Sequence, residues 1–253
     1  MKSRWQSALV GALALTLIPV VSGPVVSSPV ISSPVISGPV VSTSGSITSW
    51  FLLQRASAET QVFNALEELE KLPVKGRAPK TGFSRNQFGS QWTDTDRNGC
   101  DTRNDILKRD LSAVVFREKT RNCVVETGVL NDPYSGQTIS FQRGEKTSAL
   151  IQIDHVVALS NAWQTGIFQS SVKVRTNFAN DPLNLMAVKG SLNSQKGDGD
   201  AATWLPPNKA FRCAYVSRQI QVKVKYGLWV TKSEKEAMLR VLQSPGCNTE
   251  VVG

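Results

Sequence analysis

The chain has one histidine, no cysteine pair at Cys-x-x-Cys spacing, and no acidic side chain in its first 58 residues. The missing cysteine spacing removes zinc ribbons and thioredoxin-like redox sites, which need closely paired thiols. The missing acid leaves Lys2, Arg4 and Arg55 as the only charges of the N-terminal stretch. Lys2 and Arg4 stand before an uncharged apolar run over residues 8–21. That order is the positive n-region and h-region of an export signal, and the run is short for a membrane span.

Beyond that run the chain turns repetitive. Residues 23–42 read [GS]-P-V-[VI]-S four times over. Proline at every fifth position forbids a continuous helix, so the repeat is a low-complexity linker or an extended leader and not a membrane span. Cleavage fits after residue 22, or as late as residue 58, where Ala56-Ser57-Ala58 precedes Glu59. A start assigned too far upstream would look the same. The expected organisation is a signal over 1–22, the repeat segment over 23–58, and one folded domain over 59–253.

About 190 residues can bury one proper core and are too few for two comfortable ones. Of the 29 basic side chains three precede residue 59, so the domain carries 26 against 20 acidic ones, a net +6. A basic domain suits a polyanionic partner such as nucleic acid, or an anionic surface. Cys100, Cys123, Cys213 and Cys247 are widely spaced. Behind an export signal they imply two disulfides. Of three connectivities, Cys100–Cys123 with Cys213–Cys247 is preferred because each closes a local loop; buried free thiols become the better reading if the N-terminus is no signal.

Apolar spacing predicts a helix through Val62, Ala65, Leu66, Leu69 and Leu72, ended by Pro73. A Gly/Asn/Asp-rich stretch over 76–105 leads to a short helix through Leu107, Leu111 and Val114. Residues 123–130 and 137–141 flank Asn131-Asp132-Pro133-Tyr134-Ser135-Gly136, a hairpin pattern. An apolar strand over 150–159 is interrupted by Asp154-His155. A helix comes next over 208–226, and Thr231-x-x-Glu234 is a capping box opening a last helix to Leu242. Helices and hairpins without βαβ alternation make the expected class α+β.

Asp154-His155 lies inside the β-branched run Ile151-Gln152-Ile153-Asp154-His155-Val156-Val157. A bare Asp-His pair is usually only a satisfied polar pair. Here, however, Asn184-Leu185-x-x-Val188 comes after it, with Asn193-x-x-Lys196 beginning nine positions after Asn184. Asp-His, Asn and Asn-x-x-Lys in this order and spacing resemble the HNH nuclease motif. Asn98-Gly99-Cys100-Asp101-Thr102-Arg103-Asn104-Asp105, Asp132-Pro133-Tyr134 and Lys196-Gly197-Asp198 through Trp204-Leu205-Pro206 look like its secreted branch, related to the C-terminal nuclease domain of GmrSD-type restriction enzymes. The resemblance covers roughly residues 75 to 247.

The resemblance implies a ββα-metal (HNH) core with additional helices and hairpin: a β-hairpin with Asp-His on its first strand, packed on a helix bearing Asn193. It implies His155 as general base, and Asp154 and Asn193 as ligands of a divalent metal, Mg²⁺ or Mn²⁺. It makes Asn184 the middle motif residue, tying the hairpin loop, and leaves Lys196 as a phosphate contact or a solvated lysine. The cysteine pairs that hold a structural zinc in many relatives are absent, consistent with disulfides in their place. The chemistry suits the residue types. An imidazole with ordinary pKa of about 6.5 can take a proton from water near neutrality, and hard oxygen donors hold a cation at a phosphate. Adjacent strand residues face opposite sides, so a local distortion is expected at Asp154-His155.

Asp94, Asp96, Asn98 and Asp105 match the spacing of an EF-hand-like calcium loop, with Gly99 at its sixth position. A turn-rich loop whose side chains cap nearby backbone explains them as well. Lys209, Arg212, Arg218, Lys223 and Lys225 occupy a stretch without acid and offer either a phosphate-binding face or a solvated helix face. The expected function is an exported endonuclease cutting DNA with little sequence preference. The alternatives are the same chemistry on RNA, and a non-catalytic binder of nucleic acid or cell envelope.

Overall fold

A computed structural model describes residues 62–252. The expected signal and repeat segment, residues 1–58, lie outside the described residues. The class is α+β: the described residues form seven α-helices and seven strands, with those strands in three small antiparallel sheets. No described helix is long and apolar enough to cross a membrane.

The helix expected from Val62 begins at Ala65 (α1, Ala65–Lys71), capped by Asn64, whose side chain accepts from Leu66 and Glu67 N–H. Val62–Asn64 (β1) pairs instead with Glu250–Val252 (β7). The helix expected through Val114 stops at Asp110 (α2, Thr102–Asp110). Leu111–Phe116 (β2) is a strand on Val125–Asn131 (β3), with Leu111 opposite Leu130 and the register shifting after Ser112. A helix-like apolar spacing has lost here to pairing across a distorted edge strand. The hairpin of β3 and Thr138–Gln142 (β4) forms as expected.

Ile151–His155 (β5) pairs with Leu185–Lys189 (β6), from Ile151↔Lys189 to His155↔Leu185. The connection over 156–184 is no tight turn, since it holds Leu159–Gln164 (α3) and Val172–Ala179 (α4). Gly190–Lys196 (α5) succeeds β6 directly. The chain closes with Arg212–Lys225 (α6) and Lys232–Leu242 (α7), α7 opening on the Thr231/Glu234 capping box. Both disulfides have the preferred pairing, Cys100–Cys123 and Cys213–Cys247. The second fastens α6 to the segment leading into β7.

Three apolar clusters make the core, and β5 runs into their junction. Ile151 and Ile153 belong to a cluster with Leu107, Leu130 and Leu185. Val156 belongs to a second, with Tyr134, Tyr215 and Met238, and Val157 and Leu159 to a third, with Phe88 and Phe178. Asp154 and His155 are the two polar residues at the crossing.

A candidate active site at the end of β5

Several neighbours fix the strands that carry the motif. At the end of α2, Arg109 donates to the Leu185 carbonyl at 2.7 Å and Asp110 accepts from Ala187 N–H at 2.8 Å, clamping β6. In the β3–β4 turn, Asp132 accepts from Lys189 N–H at 2.9 Å. Gly190 then starts α5 against Ala149, so close that a Cβ would lie 2.1 Å from the Ala149 oxygen. Only glycine fits there, and the approach sets where Asn193 and Lys196 point.

Asn184 is fully buried and closes the long connection. Its backbone carbonyl accepts from Val156 N–H (2.8 Å), its side-chain Oδ1 from Val157 N–H (2.9 Å), and its Nδ2 donates to the Val157 carbonyl (3.3 Å). Both ends of the 156–184 excursion are thereby tied where β5 ends.

Asp154, His155 and Asn193 line one cavity of about 120 Å³. The β5–β6 register runs to His155 without a shift. The expected distortion is therefore absent, and both residues reach the cavity from the strand end, where the chain leaves the ladder. Asp154 is buried, with Lys196 Nζ 2.9 Å from Oδ1 and the Tyr134 hydroxyl donating to Oδ2. Burial first, and then the charge of Asp154, raise the Tyr134 pKa well above the usual phenol value. Tyr134 thus remains a donor, and its place at the carboxylate was visible in sequence only as a motif letter.

Lys196 has neither of its expected surroundings. It is buried, paired with Asp154, and donates to the His155 carbonyl at 2.7 Å. It props the Asp-His backbone and is closed off from a phosphate in solution.

His155 is half-buried, and its Nε2 lies 2.8 Å from the Ala179 carbonyl oxygen at the end of α4. A carbonyl only accepts, so Nε2 carries the proton and neutral His155 has a bare Nδ1. Burial is the main cause that pushes the His155 pKa down, to about 4. The Ala179 hydrogen bond and Asp154 oppose that shift, while Lys196 and Arg85 add to it. The imidazole is consequently neutral and able to accept a proton well below the ordinary midpoint of about 6.5.

The oxygen donors around the cavity suit a divalent cation. Asn193 donates its Nδ2 to Gln152 at 2.9 Å, and no hydrogen bond occupies its Oδ1. Asn180 lines the same cavity and is buried, with an Oδ1 that has no hydrogen-bond partner. Each Asp154 oxygen has a lone pair beyond its one hydrogen bond. Oxygens left in need of a donor or a cation fit a hard ion that keeps most of its waters. No three His, Cys, Asp or Glu side chains converge as a metal cluster among the described residues. In the calcium-like loop, Asp94 accepts from Asn98 and Gly99 N–H, Asp96 from Asn98 N–H, and Asp105 from the Asn98 side chain. The basic stretch is dispersed. Lys223 is buried on Glu234, Lys225 pairs with Asp181, and Arg212 and Arg218 donate to the carbonyls of Pro206 and Leu183.

The site thus brings together an imidazole with a fixed tautomer, a buried carboxylate and amide oxygens without hydrogen-bond partners. The comparisons are specific: the model of the GmrSD restriction endonucleases, C-terminal domain, matches residues 101–241, and the chain belongs to that family. An "Uncharacterized secreted protein" of Arthroderma benhamiae is 35% identical over 178 residues, 70% of this chain and 82% of the relative. No solved structure matches.

Proposed function

We propose that the protein is an exported, metal-dependent endonuclease of HNH type that hydrolyses phosphodiester bonds of DNA with little sequence preference. One observation carries the reading: His155, whose Nε2 is engaged by Ala179 and whose Nδ1 has no hydrogen bond, lines a cavity with Asp154 and Asn193. Water attacking the phosphorus passes its proton to Nδ1 while the phosphorus–oxygen bond opposite breaks. Ala179 holds the ring in the productive tautomer, and Lys196 and Tyr134 hold the Asp154 carboxylate. A divalent ion held by Asp154 and Asn193, with Asn180 as a further oxygen, would neutralise charge at the phosphate and leaving oxygen. β5, β6 and α5 are consistent with a ββα-metal core whose hairpin loop has grown into α3 and α4.

Export is supported by the positive and apolar N-terminal order, the two disulfides and the name of the Arthroderma relative. Little sequence preference is expected because phosphate contacts carry no sequence information, and the basic net charge of the domain suits a polyanion such as DNA. The test is cleavage of circular DNA, with RNA alongside, before and after chelation. Cutting should stop in EDTA and return with Mg²⁺ or Mn²⁺. Undiminished cutting after bound metal is shown to be gone would overturn the mechanism, and RNA cut in preference to DNA would overturn the substrate.

A further inference from the structure

With Lys196 sealed against Asp154, the cavity lacks the cation that sequence spacing offers for a phosphate. Another lies in the cavity lining. Arg85 opens the short 3-10 turn Arg85–Phe88 and lines the cavity with Asp154, His155 and Asn193. It is exposed. Among the described residues the ion-paired arginines are Arg77, Arg109 and Arg117, and no carboxylate holds Arg85.

The turn that carries it is firmly mounted. Arg175 donates to the Gln87 carbonyl at 2.7 Å and to Gln87 Oε1 at 3.2 Å. Phe88 is buried against Trp163 and Phe178. Gly89, with φ +80, passes so near Thr176 that a Cβ would lie 2.5 Å from its Oγ1. Arg175 and Thr176 belong to α4, the helix whose Ala179 carbonyl orients His155. One helix therefore positions both His155 and the turn that carries Arg85. Arg85 also precedes the family match over 101–241 and is none of the motif residues that carry the resemblance.

We propose that Arg85 binds a phosphate of the substrate strand at or beside the bond to be cut, resting on the nuclease reading above. A guanidinium suits the task because its planar fork can meet two phosphate oxygens at once. Arg175, by contrast, has its donors committed to Gln87 and Ser170.

Arg85→Gln and Arg85→Lys separate this assignment from the reading beneath it. Binding of labelled duplex and single-stranded oligonucleotides is measured by anisotropy in EDTA across a salt series. Arg85→Gln should bind about tenfold more weakly, with the slope of log K against log salt reduced by about 0.9, one phosphate contact. Arg85→Lys should keep the slope and recover part of the affinity. In cleavage, Arg85→Gln should lose on the order of tenfold or more in kcat/KM. Unchanged affinity and slope in Arg85→Gln overturn the proposal whatever cleavage shows. A wild type that binds through Arg85 yet never cuts overturns the nuclease reading and leaves the phosphate site standing.

Discussion

Lys196 and Asp154 form an ion pair shut away from water: Nζ lies 2.9 Å from Oδ1, with 0% and 4% of the side chains exposed. Removing one partner strands the other, which costs on the order of 3–5 kcal/mol. Lys196→Met should lower stability by that amount in denaturant unfolding and also remove activity, since the Asp-His backbone loses its prop. A cost below about 1 kcal/mol, typical of a surface pair, would mean that the lysine swings out in solution.

His155→Ala should abolish cutting and leave nucleic-acid binding nearly intact. The wild-type pH profile is set by a pKa pushed down to about 4. In the proposed mechanism the base is the unprotonated ring, so rate should climb as pH rises through about 4 and be level by about 6. The sequence alone suggests a midpoint near 6.5; burial moves it down. A profile at saturating metal with its midpoint at 6.5 would show the ring solvated in the working enzyme.

The same shift has a consequence for stability, of defined sign. The unfolded ring takes a proton near 6.5 and the folded ring only near 4. Protonation therefore favours unfolding as pH falls between those values, and the contribution levels off below about 4. Melting temperature should drop across that window in wild type and drop less in His155→Gln.

Gly190→Ala places a methyl where the Ala149 oxygen stands, 2.1 Å away. Helix α5 must shift, carrying Asn193 and Lys196 with it. The expected result is a folded protein with kcat down on the order of a hundredfold, since misplacement of about 1 Å costs that much. Wild-type kcat would mean that the approach relaxes freely.

Reduction should destabilise the protein, because loops of 23 and 34 residues closed by disulfides contribute on the order of 3–4 kcal/mol each. Melting with and without dithiothreitol measures this. Peptide mapping that finds any pairing other than Cys100–Cys123 and Cys213–Cys247 would contradict the structure.

Legibility in the sequence tracked the range of the interactions. The β3–β4 hairpin, α6 and the capped α7 depend on neighbours in the chain, and local pattern finds them. Leu111 and Val114 mislead, because their spacing is helical while Leu130, across the sheet, decides that they form a strand. Asp154, His155, Asn184 and Asn193 stand out through their order and spacing. The burial of Lys196 does not, since it depends on a carboxylate 42 positions earlier. Arg85 comes to the site from a distant segment with no spacing relation to the motif, and Tyr134 figures in the sequence only within Asp132-Pro133-Tyr134, with nothing to place it on Asp154. The calcium-like spacing shows the converse limit: the same carboxylates serve well as caps for backbone N–H groups.

The crossing of three apolar clusters at Asp154-His155 has a practical corollary. The site has no subdomain of its own that could survive while the rest loosens. Partial melting at the β2–β3–β4 sheet, around α6 and α7, or beneath α3 and α4 removes one of the walls that aim these two side chains. Turnover then reports on the integrity of the whole domain: heat, acid or a protease nick at any of the three should silence cutting before bulk helix content falls.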